Sequence, residues 1–140
     1  MLESVIISKE MQLAMQGVVP AVLGTCAADG TPNVTYISQV YYIDNNQVAL
    51  SCQFMNKTAR NLQENPLATV IITCPNTASM WKLNLRYLES QTKGPLFELM
   101  EMQLQAIITM LSIPVNFSLQ AAAICNVETI EQIYNGRSGT

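Results

Sequence analysis

Apolar and polar positions change their spacing several times along this chain, and each change marks an element. In "SKEMQLAMQG", Met11, Ala14 and Met15 recur at helical spacing behind Ser8, a good N-cap, and Gly17 stops the run, so a short helix opens the chain. From Pro20 to Phe54 the pattern becomes that of strands. Runs rich in Val, Ile, Thr and Tyr are broken at Asp29-Gly30 and again at Asp44-Asn45-Asn46, which predicts consecutive antiparallel hairpins and three strands in meander order. Asn56 then caps a short helix over Lys57 to Glu64, and Asn65-Pro66 ends it, because proline cannot continue a helix and pushes its predecessor toward an extended conformation. "LATVIITC" reads as a fourth strand. "SMWKLNLRYLESQ" reads as a fifth, with Met80, Lys82, Asn84 and Arg86 on one side and Trp81, Leu83, Leu85 and Tyr87 on the other.

Gly94-Pro95 opens a longer helix, where proline suits the first turn because its missing N–H would have no partner there. Within "LFELMEMQLQAIITML" the polar residues Glu98, Glu101, Gln105 and Thr109 form one narrow stripe on an otherwise apolar cylinder, which predicts burial on most sides. A core helix and a helix laid across a dimer seam share that pattern. "VNFSLQAAAICNV" supplies a last strand, after which "ETIEQIYNGRSGT" turns polar. We place one domain over residues 1–133 and a polar tail or linker over 134–140, with no internal repeat. Five or six strands with a small helix after the third and a longer one before the last predict a mainly β fold, a small antiparallel barrel with α additions.

Composition sharpens this picture in two respects. Of 140 residues, 49% are hydrophobic and only 12% charged, so some apolar surface belongs in a subunit contact and a homodimer is expected. The formal charge of −3, with no Lys/Arg cluster, argues against nucleic acid or an anionic membrane as partner. There is no histidine, which removes imidazole bases and His-dependent triads, and Cys26, Cys52, Cys74 and Cys125 are spread without a CxxC pair. No metal site is expected, the thiols read as structural ones in a reducing compartment, and any chemistry must come from a cofactor. The N-terminus has no basic segment ahead of an apolar one, and Glu98 and Glu101 interrupt the most apolar helix, so a cytoplasmic, non-membrane location is expected.

The stretch "QFMNKTARNLQENP" carries the most specific chemistry. A strand that delivers the chain into Asn56 and the first turn of a helix leaves the N–H groups of Lys57 and Thr58 without helical partners, and Lys57 brings a positive charge to the same point. That equipment suits a phosphate; the same residues also make an ordinary N-capped helix with a solvated lysine. Arg60 and Asn61 follow one turn later, in reach of Glu64. Tyr36, Tyr41 and Tyr42 read as strand packing and the eight methionines as adaptable core filler.

With "PAVLGTCAADGTPNV" as a first hairpin, "NKTARNLQENP" as a phosphate loop and helix, and "GPLFELM" with "FSLQAAAICNVETIE" as a C-terminal helix and strand, the chain from about Gly17 to Ile133 resembles the pyridoxamine 5'-phosphate oxidase-like proteins. The resemblance implies a six-stranded antiparallel split β-barrel of Greek-key, FMN-binding type, dimeric, with FMN at the subunit interface. It implies a phosphate grip at Asn56, Lys57 and Thr58. Ile37, Ser38 and Gln39 would run along the isoalloxazine ring, Ser51 and Cys52 would line the ribityl chain, and Trp81 falls where the family places a glutamine from the partner subunit. The chain departs from the family at Thr35 and Val40, where a strand-two arginine and lysine are absent, and at Thr58, where a second basic residue is absent.

The resemblance implies an FMN-dependent oxidoreductase in which the flavin transfers the electrons. Pyridoxamine phosphate is not the expected substrate, since the family's C-terminal arginine and histidine have no counterpart here. No catalytic acid, base or nucleophile is assigned. The alternative is a non-catalytic flavin-binding, redox-sensing or dimerisation module, fused to or associated with a sensory domain.

Overall fold

The computed structural model describes residues 6–52, 56–110, 112 and 118–137, with the side chain of Asn56 outside that set. The opening helix, α1 (Lys9–Met15), forms as its sequence predicts: the Ser8 hydroxyl accepts a hydrogen bond from the Met11 N–H at 3.2 Å, and Met11, Ala14 and Met15 are its buried residues. The first hairpin joins β1 (Ala21–Cys26) to β2 (Pro32–Ile37) through Gly30 at φ +88°, a conformation that favours glycine. The second joins β3 (Val40–Tyr42) to β4 (Gln47–Cys52); there Asp44 Oδ1 accepts from the Asn46 and Gln47 N–H groups at 2.7 and 2.9 Å. Next come α2 (Asn56–Glu64), β5 (Leu67–Thr73), β6 (Met80–Gln91), α3 (Pro95–Met110) and β7 (Ala121–Tyr134).

These strands form one antiparallel sheet in the order β2-β1-β5-β6-β7-β4-β3, curled into a split barrel. The expected six strands are seven, because Ser38 and Gln39 break the segment after the first hairpin into β2 and β3, each on a different part of the sheet. The predicted meander is likewise corrected. The two hairpins lie at opposite ends of the sheet order, joined by three strands from later in the chain.

Alternation along β4 and β7 explains why both read as continuous apolar runs. Val48, Leu50 and Cys52 of β4 and Ala123, Cys125 and Val127 of β7 enter the barrel core with Leu23, Val70, Leu83 and Trp81. The intervening Ala49, Ala122 and Ile124 face the other way and pack under α3 against Met100, Leu104 and Ile108. Only that stripe of α3 is buried; Leu99, Met102 and Met110 are 46%, 67% and 61% exposed, so the helix expected to be buried on most sides is covered on one. A sheet offers a helix one flat face, and nothing in the described chain lies over the other.

The last strand is longer than its sequence shows. β7 continues through "ETIEQIY" to Tyr134, pairing with β6 as far as Met80, and Glu128 and Glu131 reach Arg86 and Lys82 at 3.5 and 3.7 Å. Beyond it the segment assigned to a tail still makes contacts: the Gly136 N–H donates to Ser79 Oγ at 3.0 Å, and Arg137 Nε donates to Glu10 Oε2 at 3.3 Å. No helix among the described residues is long and apolar enough to cross a membrane.

Candidate functional site

The free edges of the sheet are β2, hydrogen-bonded to β1 alone, and the short β3, hydrogen-bonded to β4 alone; β3 covers β4 only over Val48–Leu50, and where it stops β2 approaches β4, leaving a split between these two strands. One end of it is closed where Ser38 and Gln39 carry the chain across. Ser51, on β4 and 1% exposed, ties that corner together: its hydroxyl accepts from the Gln39 N–H at 3.1 Å, lies 2.8 Å from the Ser38 hydroxyl, and donates to the Gln39 carbonyl at 3.0 Å. The Ser51 N–H also donates to the Gln39 carbonyl, at 3.3 Å. Opposite the corner, Gly17 at φ +92° brings its backbone so near that a Cβ there would stand 2.0 Å from the Ser38 carbonyl oxygen. Ile37 and Cys52 are buried beside this corner. Burial pushes the Cys52 thiol up to about 11, so it stays protonated at neutral pH.

The open end of the split is built by α2 and the start of β2. Thr58 Oγ1 accepts from Asn33 Nδ2 at 3.1 Å, and Asn61 Nδ2 donates to Thr25 Oγ1 at 3.2 Å in the interior, so α2 is pinned across the first hairpin. Lys57 and Arg60 point to solvent and make no ion pair among the described residues. Glu64, within reach of Arg60 by spacing, instead accepts from the Ala28 N–H at 3.4 Å.

The predicted site residues therefore separate into groups. Ile37, Ser38, Gln39, Ser51 and Cys52 come together at the closed corner, and Lys57 and Thr58 lie at the open end. Trp81 joins neither. It is 6% exposed, on β6 between Ile72 and Gln132, and belongs to the barrel core. Two details differ from the sequence reading: the Thr58 hydroxyl is turned inward to Asn33, and both main-chain groups of Gln39 are already bonded to Ser51. Asn33 was not singled out by sequence, because an asparagine in the first hairpin looks like any turn residue until α2 is laid over it.

An anion fits the open end. The first-turn N–H groups of a helix have no intrahelical partners, α2 follows β4 in the chain, and exposed Lys57, in its first turn, makes no ion pair among the described residues. The closed corner offers no titrating acid or base: its side chains are hydroxyls, amides and a neutral thiol.

The same fold recurs in solved structures. An FMN-binding protein from Syntrophomonas wolfei superposes with a TM-score of 0.77 at 15% identity, over 91% of this chain and 86% of that one. HupZ from Group A Streptococcus gives 0.70 at 19% identity, over 91% and 94%. HutZ, described as the heme storage protein of Vibrio cholerae, gives 0.60 at 16% identity, over 93% and 97%. No curated protein sequence matches the chain. The family profile for pyridoxamine 5'-phosphate oxidase matches residues 7–103, a span from before α1 into α3 that includes the hairpins, the split and α2. The chain belongs to the pyridoxamine 5'-phosphate oxidase-like family.

Proposed function

We propose that the chain binds FMN in the split between β2 and β4, with the phosphate on the first turn of α2 and Lys57. The observation that carries this reading is the exposed Lys57, without an ion pair among the described residues, at the start of a helix pinned to the first hairpin by Thr58 and Asn33. The solved FMN-binding neighbour supports it by fold. Asn56, Lys57 and the Thr58 N–H would hold the phosphate; Ile37 and Ser38 would border the ring, and Ser51 and Cys52 the sugar chain. Thr35 replaces a cation at the split, and each charged hydrogen bond lost is worth about 1.5–3 kcal/mol, so the affinity is modest. Bound FMN would supply one- and two-electron transfer, and the chain would act as a flavin-dependent oxidoreductase on a substrate other than pyridoxamine 5'-phosphate. The residues around the split position the flavin and exclude water from its inner edge.

A titration with FMN, riboflavin and hemin tests the assignment. FMN should bind more tightly than riboflavin, and Lys57→Ala should weaken FMN about tenfold, equivalent to about 1.4 kcal/mol, without changing riboflavin. Equal affinities for FMN and riboflavin overturn the phosphate site. Hemin binding in preference to FMN would move the chain toward its heme-storing neighbour, a reading weakened by the absence of histidine as an axial ligand.

A second reading, a flavin-binding module without turnover, is favoured by the chemistry of the closed corner. Ser38 and Ser51 are bonded to each other and the Cys52 thiol stays neutral, so no side chain there is placed to move a proton. Reduction by NADH and NADPH decides between the two. A saturable rate far above that of free FMN establishes the oxidoreductase; a rate equal to free FMN establishes the module.

A further inference from the structure

Gln39 does two jobs. Its main chain closes the split, while its side chain turns to the opposite side of the corner, between α1, β3 and α3. There it is 2% exposed; Nε2 donates to Gln103 Oε1 at 3.1 Å, and Oε1 has no hydrogen-bond partner among the described residues. A buried carbonyl oxygen left unbonded is uncommon in folded proteins, because it gives up its water without replacement. Gln39 lines a cavity of about 170 Å³ together with Gln12, Gln16 and Gln103. A second cavity of about 280 Å³ shares Gln16 and Gln103 and is otherwise walled by apolar side chains, among them Ile107 and Met110 of α3. Among the described residues, no charged side chain lines either cavity.

We propose that this amide-lined cavity is a second ligand site, separate from the split, for a neutral small molecule with an N–H donor at one end and a short apolar tail at the other. The donor end meets Gln39 Oε1, and the surrounding glutamine amides match a head group that both donates and accepts. The tail lies along Ile107 and Met110 in the adjoining cavity. A carboxylate is disfavoured because it brings no donor to Gln39 Oε1 and finds no cation in the walls. The site does not depend on FMN, since its walls come from α1, β3 and α3 and Lys57 is not among them.

Hexanamide and hexanoate are suitable probes, followed by the side-chain amide resonances of 15N-labelled protein. The expected result is saturable movement of the Gln39 and Gln103 side-chain signals with hexanamide and at least tenfold weaker binding of hexanoate. Gln39→Leu should abolish the response to hexanamide while keeping or raising thermal stability, because it removes an unpaired buried acceptor. Should Gln39→Leu fail to fold, Ala106→Trp decides: Ala106 is an exposed residue of α3 on the cavity wall, and the larger ring should fill the tail space and cost at least tenfold in affinity. Lys57→Ala should leave hexanamide binding unchanged. Equal binding of the two probes, a response without saturation, or undiminished affinity in Ala106→Trp overturns the proposal.

Discussion

Gly17 and the thiols show how single positions set the stability of the closed corner. A side chain at Gly17 would meet the Ser38 carbonyl at 2.0 Å in a left-handed backbone conformation, so Gly17→Ala must displace the corner that Ser51 holds. We expect a loss of about 2 kcal/mol or more, read by urea unfolding; an unchanged midpoint would mean the corner yields freely. The buried thiols give a pH signature. Burial holds Cys52 at about 11, and burial together with the nearby Cys52 holds Cys125 at about 12, both above an unfolded thiol. Both states keep these protons below about pH 8.5, so the thiols' contribution is complete there. As the pH rises from that point toward about 11 and 12, the unfolded chain ionises first and the contribution is lost. Unfolding measured at about pH 8 and about pH 10.5 should show this fall, and Cys52→Ala with Cys125→Ala should flatten it. At neutral pH a thiol reagent should reach half-buried Cys26 well before Cys52 or Cys125.

At the level of elements, what the sequence made legible was whatever has a local cause. Ser8 and Gly17 bracket α1, Asp29-Gly30 and Asp44-Asn45-Asn46 turn both hairpins, and the alternation of Trp81, Leu83 and Leu85 marks the inner face of β6, because each depends on neighbours a few residues away. The second half of β7 was hidden because "ETIEQIY" is wet on both faces and carries no apolar alternation; it is a strand because β6 extends far enough to pair with it. The candidate site was legible in the same uneven way. Lys57 announced itself as a rare cation at a helix start. The inward turn of Thr58 and the link from Gln39 to Gln103 depend on partners 25 and 64 positions away and have no local signature. Hydrogen exchange checks the strand assignment: amides of β7 should remain protected as far as Gln132, whereas a polar tail would exchange at once after Val127. Replacing Lys82 by Glu beside Glu131 should cost under about 1 kcal/mol, since the pair is open to solvent.

Among the described residues, β2 and α3 each leave large apolar side chains exposed. Val34 and Tyr36 are 70% and 74% exposed on the outer face of β2, where Val34 lines a cleft of about 510 Å³ with Gly24, Leu67 and Thr69; the uncovered side of α3 adds Met102 and Met110. Such patches commonly mark subunit contacts, and we expect a homodimer by light scattering at micromolar concentration, with Tyr36→Glu shifting it to monomer. A monomer in the unsubstituted protein would remove this expectation. The order β2-β1-β5-β6-β7-β4-β3 has a further consequence, for the time course of folding. Each hairpin can form from its own residues as soon as it is synthesised. Their apolar faces stay open, however, until β5, β6 and β7 arrive to bridge them, and Cys52 waits for Ala121 as Met80 waits for Tyr134. A nascent chain halted anywhere before β7 is complete therefore presents two sticky half-sheets with free edges, and its closure is a late, long-range step, slow by the usual dependence on sequence separation. Shielding by a chaperone should matter most during that interval, between the second hairpin and residue 134.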